Sequence, residues 1–437
     1  MSIELLTVVL FCSMIVFFLM GAPVGFSMGG IAMIIGYFTW GPKAFKLIQP
    51  TTMATLSGFI LLAIPLFIFM GQVLLHAGIA EKMFDAFHVL AGRIKGGLAI
   101  GVIVVCSAIA AMVGVIAAGI MTAGTVALPS MLDRGYHKNL ALGSIMAGGG
   151  MGILIPPSIP MILFASVTNT SVGRMFAGGL IPGLIMSACF VVYIAVRCYI
   201  DPEYGPPFQP EKRIGTREKW IAARDGSIAF GLIILVLGCI MSGAATTTEA
   251  AAVGAVGAVL VAIFYRRFTW AVLRDSSMEG MRLTSVCIWL FIGALVFSNF
   301  HMMMGAGRLV RQLIADTGLS PMGVIIIMQI TILFMGFIMD DFVILLLCSP
   351  IYTPIAMSLG FDPIWFGILM ILQMEIAIQT PPYGFALFYM KAVVPPQITM
   401  TDIYKSITPF LVIKFFILAL CMAFPNIITW LPNLLFQ

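Results

Sequence analysis

The sequence predicts an all-α polytopic membrane protein with about ten spans, two re-entrant hairpins and an internal inverted repeat. Three observations predict it: apolar runs of about 20 residues recurring from end to end, a scarcity of charge, and a pattern that returns at an offset of 225 residues. Of the 437 residues 61% are hydrophobic and 9% charged, with mean hydropathy +1.10. A soluble chain carries about 25% charged residues, so this one lacks the polar groups to cover itself in water. Its surroundings are therefore a lipid bilayer.

The first apolar run begins at Ile3 with no basic segment before it and no small-residue cleavage site after it. It reads as a true first span and not as a cleaved signal peptide. The net charge of +5 comes from Lys and Arg in short loops, as positive-inside orientation requires, so nucleic acid is not an expected partner. The eight cysteines lie mostly inside apolar runs without CxxC spacing, and the four histidines form no HExxH pair. There is no GxxxxGK[ST] phosphate loop. These absences argue against an enzyme, a resident cofactor and ATP-driven work.

Two charged stretches orient the chain: Arg197 to Asp225, and Arg266 to Arg282. Both read as cytoplasmic, so the apolar sequence between them crosses twice. Its turn falls near Ser242-Gly243-Ala244-Ala245, and Glu249 follows in the first turn of the next helix. Working outward places spans near 3–20, 22–40, 58–76, 138–168, 175–199, 228–243, 247–264, 283–303, 363–390 and 406–430. The apolar stretches 98–128 and 322–350 fit as re-entrant hairpins, because a single crossing by either would put a basic loop on the wrong side. Both termini then lie outside the cytoplasm.

The repeat pairs Pro129 with Pro354, Gly135-Tyr136 with Gly360-Phe361, and Pro156-Pro157 with Pro381-Pro382. In each copy a hairpin-like stretch precedes a Gly-aromatic turn and a span broken by Pro-Pro. The first copy starts from the cytoplasmic loop around Arg93 and Lys95, the second from the outer side near Ser320-Pro321, so the copies are inverted. A Pro-Pro break removes N–H donors and frees carbonyls that lipid cannot satisfy. It survives where protein, water or an ion takes them up, and paired breaks in inverted repeats are how secondary transporters build midplane sites. The expected organisation is N-terminal scaffold helices over 1–57, a first repeat over 58–200, cytoplasmic loops and linking helices over 201–282, and a second repeat over 283–437.

Several stretches then carry a resemblance: Gly21-Ala-Pro-Val-Gly-Phe26, Ile64-Pro-Leu-Phe67, Gly152-Ile-Leu-Ile-Pro-Pro-Ser-Ile-Pro-Met161, Gly178-Gly-Leu-Ile-Pro-Gly183, Thr248-Glu-Ala-Ala-Ala252, Gly336-Phe-Ile-Met-Asp340 and Thr380-Pro-Pro-Tyr-Gly384. In this order and spacing the chain resembles the large membrane subunit of tripartite ATP-independent periplasmic transporters over essentially its whole length. The resemblance implies a sodium-coupled, elevator-type importer of small organic anions, carboxylates or sulfonates, in the bacterial inner membrane. Its implied partners are a soluble periplasmic substrate-binding protein and a small four-helix membrane subunit, and its coupling ion is Na⁺. The implied first sodium site uses Gly114, Gly119, Thr122, Gly152, Ile155 and Pro157. The second uses Gly336, Asp340, Thr380, Pro382 and Gly384. Ser158, Gln379 and Tyr383 border the breaks and are candidate substrate contacts. Many relatives carry a serine-rich first hairpin tip; here it reads Gly114-Val-Ile-Ala-Ala-Gly119, leaving backbone carbonyls and Thr122 as ligands.

Polar residues at membrane depth are few, and each has a structural alternative. Asp340 and Asp341 lie near the tip of the second hairpin, where Asp340 adds negative potential near the second site or caps the hairpin's second helix. Glu375 reads as tuning the ion site, with a packed, hydrogen-bonded acid as the alternative. Glu249 reads as a first-turn acid and Thr168 to Ser171 as a loop cap. Arg308 and Arg311 form either an outer docking patch or interfacial anchors, and Met302 to Met304 read as flexible packing. The rival to sodium coupling is a stand-alone, proton-coupled organic-anion carrier using Glu375 and the hairpin aspartates.

Overall fold

The computed structural model describes residues 2–91, 94–207, 216–309, 312 and 318–436, and all regular structure among them is helical. Five helices open the chain: α1 (Ile3–Leu19), α2 (Val24–Trp40), α3 (Ile48–Leu56), α4 (Ala63–His76) and α5 (Ile79–Ala91). A helical hairpin follows, α6 (Gly97–Val113) and α7 (Ile116–Asp133), turning at Gly114. With φ of +68°, Gly114 occupies a conformation that a side chain resists.

The first broken helix comes next, as α8 (Lys138–Gly150) and α9 (Ile159–Thr168). At 1.5 Å per residue these halves are about 20 and 15 Å long, so only end to end do they span ~30 Å of hydrocarbon. Four long helices lead to the second repeat: α10 (Val172–Ile200), α11 (Thr216–Met241), α12 (Thr247–Phe264) and α13 (Trp270–Met303). The second hairpin is α14 (Pro321–Met335) and α15 (Asp341–Ser358), and the second broken helix is α16 (Pro363–Ala377) and α17 (Phe385–Val393). The chain closes with α18 (Met400–Ala423) and α19 (Asn426–Leu435). Eight helical stretches among the described residues are long and apolar enough to cross a membrane.

Helix ends differ from the expected spans where hydropathy misreads them. The helices α11 and α13 begin at Thr216 and Trp270, ahead of 228 and 283, because the charged residues at their starts are helical although not apolar. The span expected over 406–430 is two helices, since Phe424 and Pro425 interrupt it. Proline has no N–H to continue the ladder. The helices α3 and α5 fall in no expected span; α5 carries Glu81, Lys82 and Asp85.

The offset of 225 holds at the level of helix ends. Adding it to the ends of α7, 116 and 133, gives 341 and 358, the ends of α15. Adding it to the start of α8 gives 363, the start of α16. Counterparts also meet: a Cβ on Gly150 would lie 2.8 Å from Oε1 of Glu375, its own repeat equivalent. Equivalent positions touch when a two-fold-like axis passes between them, so the broken helices cross there. The repeats interlock as well. The helix α7 packs on α17, where a Cβ on Gly124 would strike Val393, and α15 packs on α9.

Polar contacts gather residues at two ends of the bundle. At one end Lys138 pairs with Asp402 at 2.7 Å, His137 stacks on Tyr204 at 4.2 Å between ring centres, and Lys82 lies over the Tyr265 ring. At the other, Arg174 donates to Asn433 at 2.9 Å. The Thr246–Glu249 pair forms a capping box on α12, each satisfying the other's backbone N–H, as a first-turn acid should.

Candidate functional site: two helix breaks backed by hairpin tips

The site is built from backbone. After α8 the chain makes one tight turn through Met151–Ile153 and runs without regular structure to Ser158. Both prolines of each Pro-Pro pair lie in these breaks, and the peptide bonds Pro156-Pro157 and Pro381-Pro382 are cis. The Ser158 hydroxyl is buried and donates to the Ile153 carbonyl at 2.6 Å, closing the break on itself. Among the described residues no donor bonds the carbonyls of Gly152, Ile155 or Pro157. Gly152 and Pro157 are buried, where an unpaired carbonyl costs free energy.

The Gly178–Gly183 motif explains how α10 reaches this break. A Cβ on Gly179 would lie 2.7 Å from the Leu154 carbonyl, and one on Gly183 would lie 2.8 Å from Ile155. The first hairpin tip closes the other side, since a Cβ on Gly114 would lie 2.9 Å from Ile159, the first residue of α9. Gly119 is buried one turn into α7, and Thr122 is half-buried further along it, away from the tip.

The second break runs from Ile378 to Gly384. Thr380 donates its hydroxyl to Ile376 at 2.7 Å, the Gly384 N–H returns to Thr380, and the Tyr404 hydroxyl donates to Pro382 at 2.9 Å. The carbonyls of Gln379 and Pro381 accept no hydrogen bond from a described residue, and neither does that of Gly336 at the second tip. A Cβ on Gly336 would run into Ala377, so this tip sits directly against the end of α16. Asp340 caps α15, accepting from the Phe342 N–H at 2.8 Å, and Asp341 beside it is buried. Tyr383 is 61% exposed.

Between the breaks lies a polar cluster of which the sequence reading named Glu375 and Gln379 but missed Lys414. Lys414 of α18, Glu375 of α16 and Gln379 all have no solvent exposure. The Lys414 ammonium donates to Glu375 Oε1 at 2.6 Å and to Gln379 Oε1 at 2.7 Å, and Gln379 Nε2 donates to the Met146 carbonyl of α8 at 3.0 Å. Glu375 Oε2 has no hydrogen-bond partner among the described residues. The available signal was a lone lysine inside an apolar run, which calls for an acidic partner at the same depth.

Of the remaining residues, Thr168 donates to Phe164 and shares a bond with Thr170, and Ser171 caps α10. Asn169 is a left-handed helix end. Asn169 also lines a cavity of about 520 Å³ with Ser166, Thr51, Thr55 and Asn299, between α9, α3 and α13. Arg308 is exposed, and Arg311 lies outside the described residues. No group of three or more His, Cys, Asp or Glu able to hold a metal occurs among the described residues.

Comparison with known proteins agrees with this architecture. Residues 11–427 match the family described as "Tripartite ATP-independent periplasmic transporter, DctM component". A C4-dicarboxylate TRAP transporter large permease protein of Pseudomonas aeruginosa is 32% identical over 405 residues, covering 92% of this chain and 93% of that one. A sialic acid TRAP transporter large permease protein of Vibrio cholerae is 30% identical over 419 residues, covering 95% of each. Among solved structures, the Alcanivorax borkumensis YdaH transporter has the same general fold, with a TM-score of 0.63 at 12% identity over 91% of this chain and 90% of that one. The chain belongs to the DctM-component family of tripartite ATP-independent periplasmic transporters, and is a multi-pass transport protein and not an enzyme.

Proposed function

We propose that this chain imports a small organic acid anion, a carboxylate or sulfonate, across the bacterial inner membrane by sodium symport and an elevator movement. A periplasmic binding protein delivers the substrate, and a small four-helix membrane subunit completes the permease. The observation that carries the reading is the pair of breaks, each backed by a hairpin tip and each presenting carbonyls without protein donors. Such oxygens are hard ligands suited to Na⁺. The first site takes Gly114, Gly119, Thr122, Gly152, Ile155 and Pro157. The second takes Gly336, Thr380, Pro382 and Gly384, with Asp340 supplying negative potential. Of these the Gly336 carbonyl accepts no hydrogen bond from a described residue. The similarly free carbonyls of Gln379 and Pro381 lie beside the other three, which also accept from Gly384, Tyr404 and Leu387. Of the candidate substrate contacts, Ser158 and Gln379 are buried with their side-chain groups committed to Ile153, Met146 and Lys414, which leaves exposed Tyr383 to border the substrate. Relatives named for C4-dicarboxylates and for sialic acid are about equally similar to this chain, so that similarity does not select between those substrates.

The energetics permit this without ATP. Two sodium ions entering through 100 mV supply roughly 4.6 kcal/mol, against about 2.3 kcal/mol opposing one monoanion. Proton coupling through Glu375 has weaker support, because one of its oxygens already holds the Lys414 ammonium. The test is uptake into proteoliposomes holding this chain and its small partner, at constant pH, with the binding protein outside. Uptake that requires both a sodium gradient and the binding protein is the expected result. Uptake driven by a proton gradient alone would reject the reading.

A further inference from the structure

The carbonyl chemistry of the two breaks leaves Lys414, Glu375 and Gln379 unused, although all three are fully buried. Burying an ammonium in an apolar stretch of helix costs several kcal/mol unless its partners are well placed. Apolar residues in place of both charged groups would pack there without that cost, so the three residues call for a reason beyond filling space.

Their connections supply one. Gln379 directly precedes Thr380-Pro381-Pro382, so its side-chain amide is fixed to the start of the second break. Its oxygen is held from α18 by Lys414 at 2.7 Å, and Lys414 is itself anchored on Glu375 at 2.6 Å. Its nitrogen is committed to the Met146 carbonyl of α8 at 3.0 Å, one turn before Gly150. Gly150 makes the approach possible, since a Cβ there would strike Gln379 Nε2 and lie 3.0 Å from Lys414 Nζ. A single amide therefore bridges the helix leading into the first break and the residue opening the second. Charge-assisted hydrogen bonds hold a geometry more firmly than neutral ones, and here the charge is brought to the amide by Lys414.

We propose that Lys414, anchored on Glu375, is a positioning residue for transport: it fixes Gln379, and Gln379 holds the two breaks in one mutual geometry so that cation binding at either favours binding at the other. The cation part rests on the sodium reading above; the mechanical part does not. Cooperativity of this kind requires a physical element that both sites bias, and the Gln379 amide reaches both helices.

The test uses the full permease complex carrying Glu375→Gln with Lys414→Met, which removes both charges together and leaves neither unpaired. Gln379→Met is a second variant that keeps the ion pair and removes only the bridge. Two readouts are taken: hydrogen exchange of the 146–158 and 376–386 segments, and the sodium dependence of uptake. In either variant exchange is expected to rise about tenfold in both segments, a loss of about 1.4 kcal/mol of local protection. The Hill coefficient for sodium is expected to fall from near two towards one. Faster exchange confined to 376–386, with 146–158 unchanged, would overturn the proposal, as would an unchanged Hill coefficient in variants that exchange faster. If uptake by the unaltered protein is indifferent to sodium, the sodium reading fails, and exchange at the 146–158 segment still decides whether the bridge exists.

Discussion

The two repeats share a backbone and differ in chemistry where they meet. At positions 150, 154 and 189 the first repeat has Gly, Leu and Cys; at the equivalent positions 375, 379 and 414 the second has Glu, Gln and Lys. Gly179 of the first lets α10 close on the Leu154 carbonyl, while its equivalent Tyr404 reaches across and donates to Pro382. The hairpin tips diverge in the same direction. The residue before α7 is Val115, which makes no side-chain cap, and the equivalent residue before α15 is Asp340, which does. At these positions the first half is thus shaped by missing atoms and the second by side-chain hydrogen bonds. Small residues in one copy give room for polar groups of the other, most directly at Gly150 against Glu375. A duplicated backbone has become an asymmetric machine through side chains at its axis.

Substitutions at equivalent positions break this comparison most strongly at the buried pair. Lys414→Met alone strands a carboxylate in the core and is expected to cost about 3–5 kcal/mol, read as a lowered thermal midpoint of the purified complex. Cys189→Ala at the equivalent position of the first repeat is expected to cost far less, since no charge is uncovered. Glycines come next. Gly150→Ala and Gly336→Ala each drive a methyl into a filled space and are expected to cost about 1–3 kcal/mol and to slow uptake. Gly231→Ala, where a Cβ meets nothing within 4 Å, is the matched control and should leave stability unchanged or slightly raised. At the tips, Asp340→Ala should cost about 1 kcal/mol through loss of the cap and should weaken sodium affinity, while Asp340→Asn should keep the cap and lose only the potential. The smallest effect is expected at the bundle end, where Lys138→Met removes a half-exposed ion pair contributing about 0–1 kcal/mol.

The fold was legible because proline and hydropathy act locally. Pro156-Pro157 and Pro381-Pro382 mark both breaks, and the 225-residue offset between them reappears in the helix ends. The polar chemistry was less legible because it depends on partners distant in sequence. Glu375 stood out as an acid at membrane depth, but its role turns on Lys414, 39 residues later and two helices further along, with nothing local to join them. Ser158 reads from the sequence as a candidate substrate contact beside a break, yet its short bond to Ile153 depends on how tightly the turn closes. The amphipathic helix α5 escaped because hydropathy detects lipid-facing runs and this helix carries charge on one face.

The central claim is that each break binds one sodium ion during a transport cycle. The most direct measurement is the ratio of sodium to substrate entering proteoliposomes together, at fixed pH and membrane potential, with the binding protein saturated. The account predicts at least two sodium ions per substrate and inward positive current for a monoanion. A ratio near zero, with uptake undiminished when sodium is replaced, would contradict it.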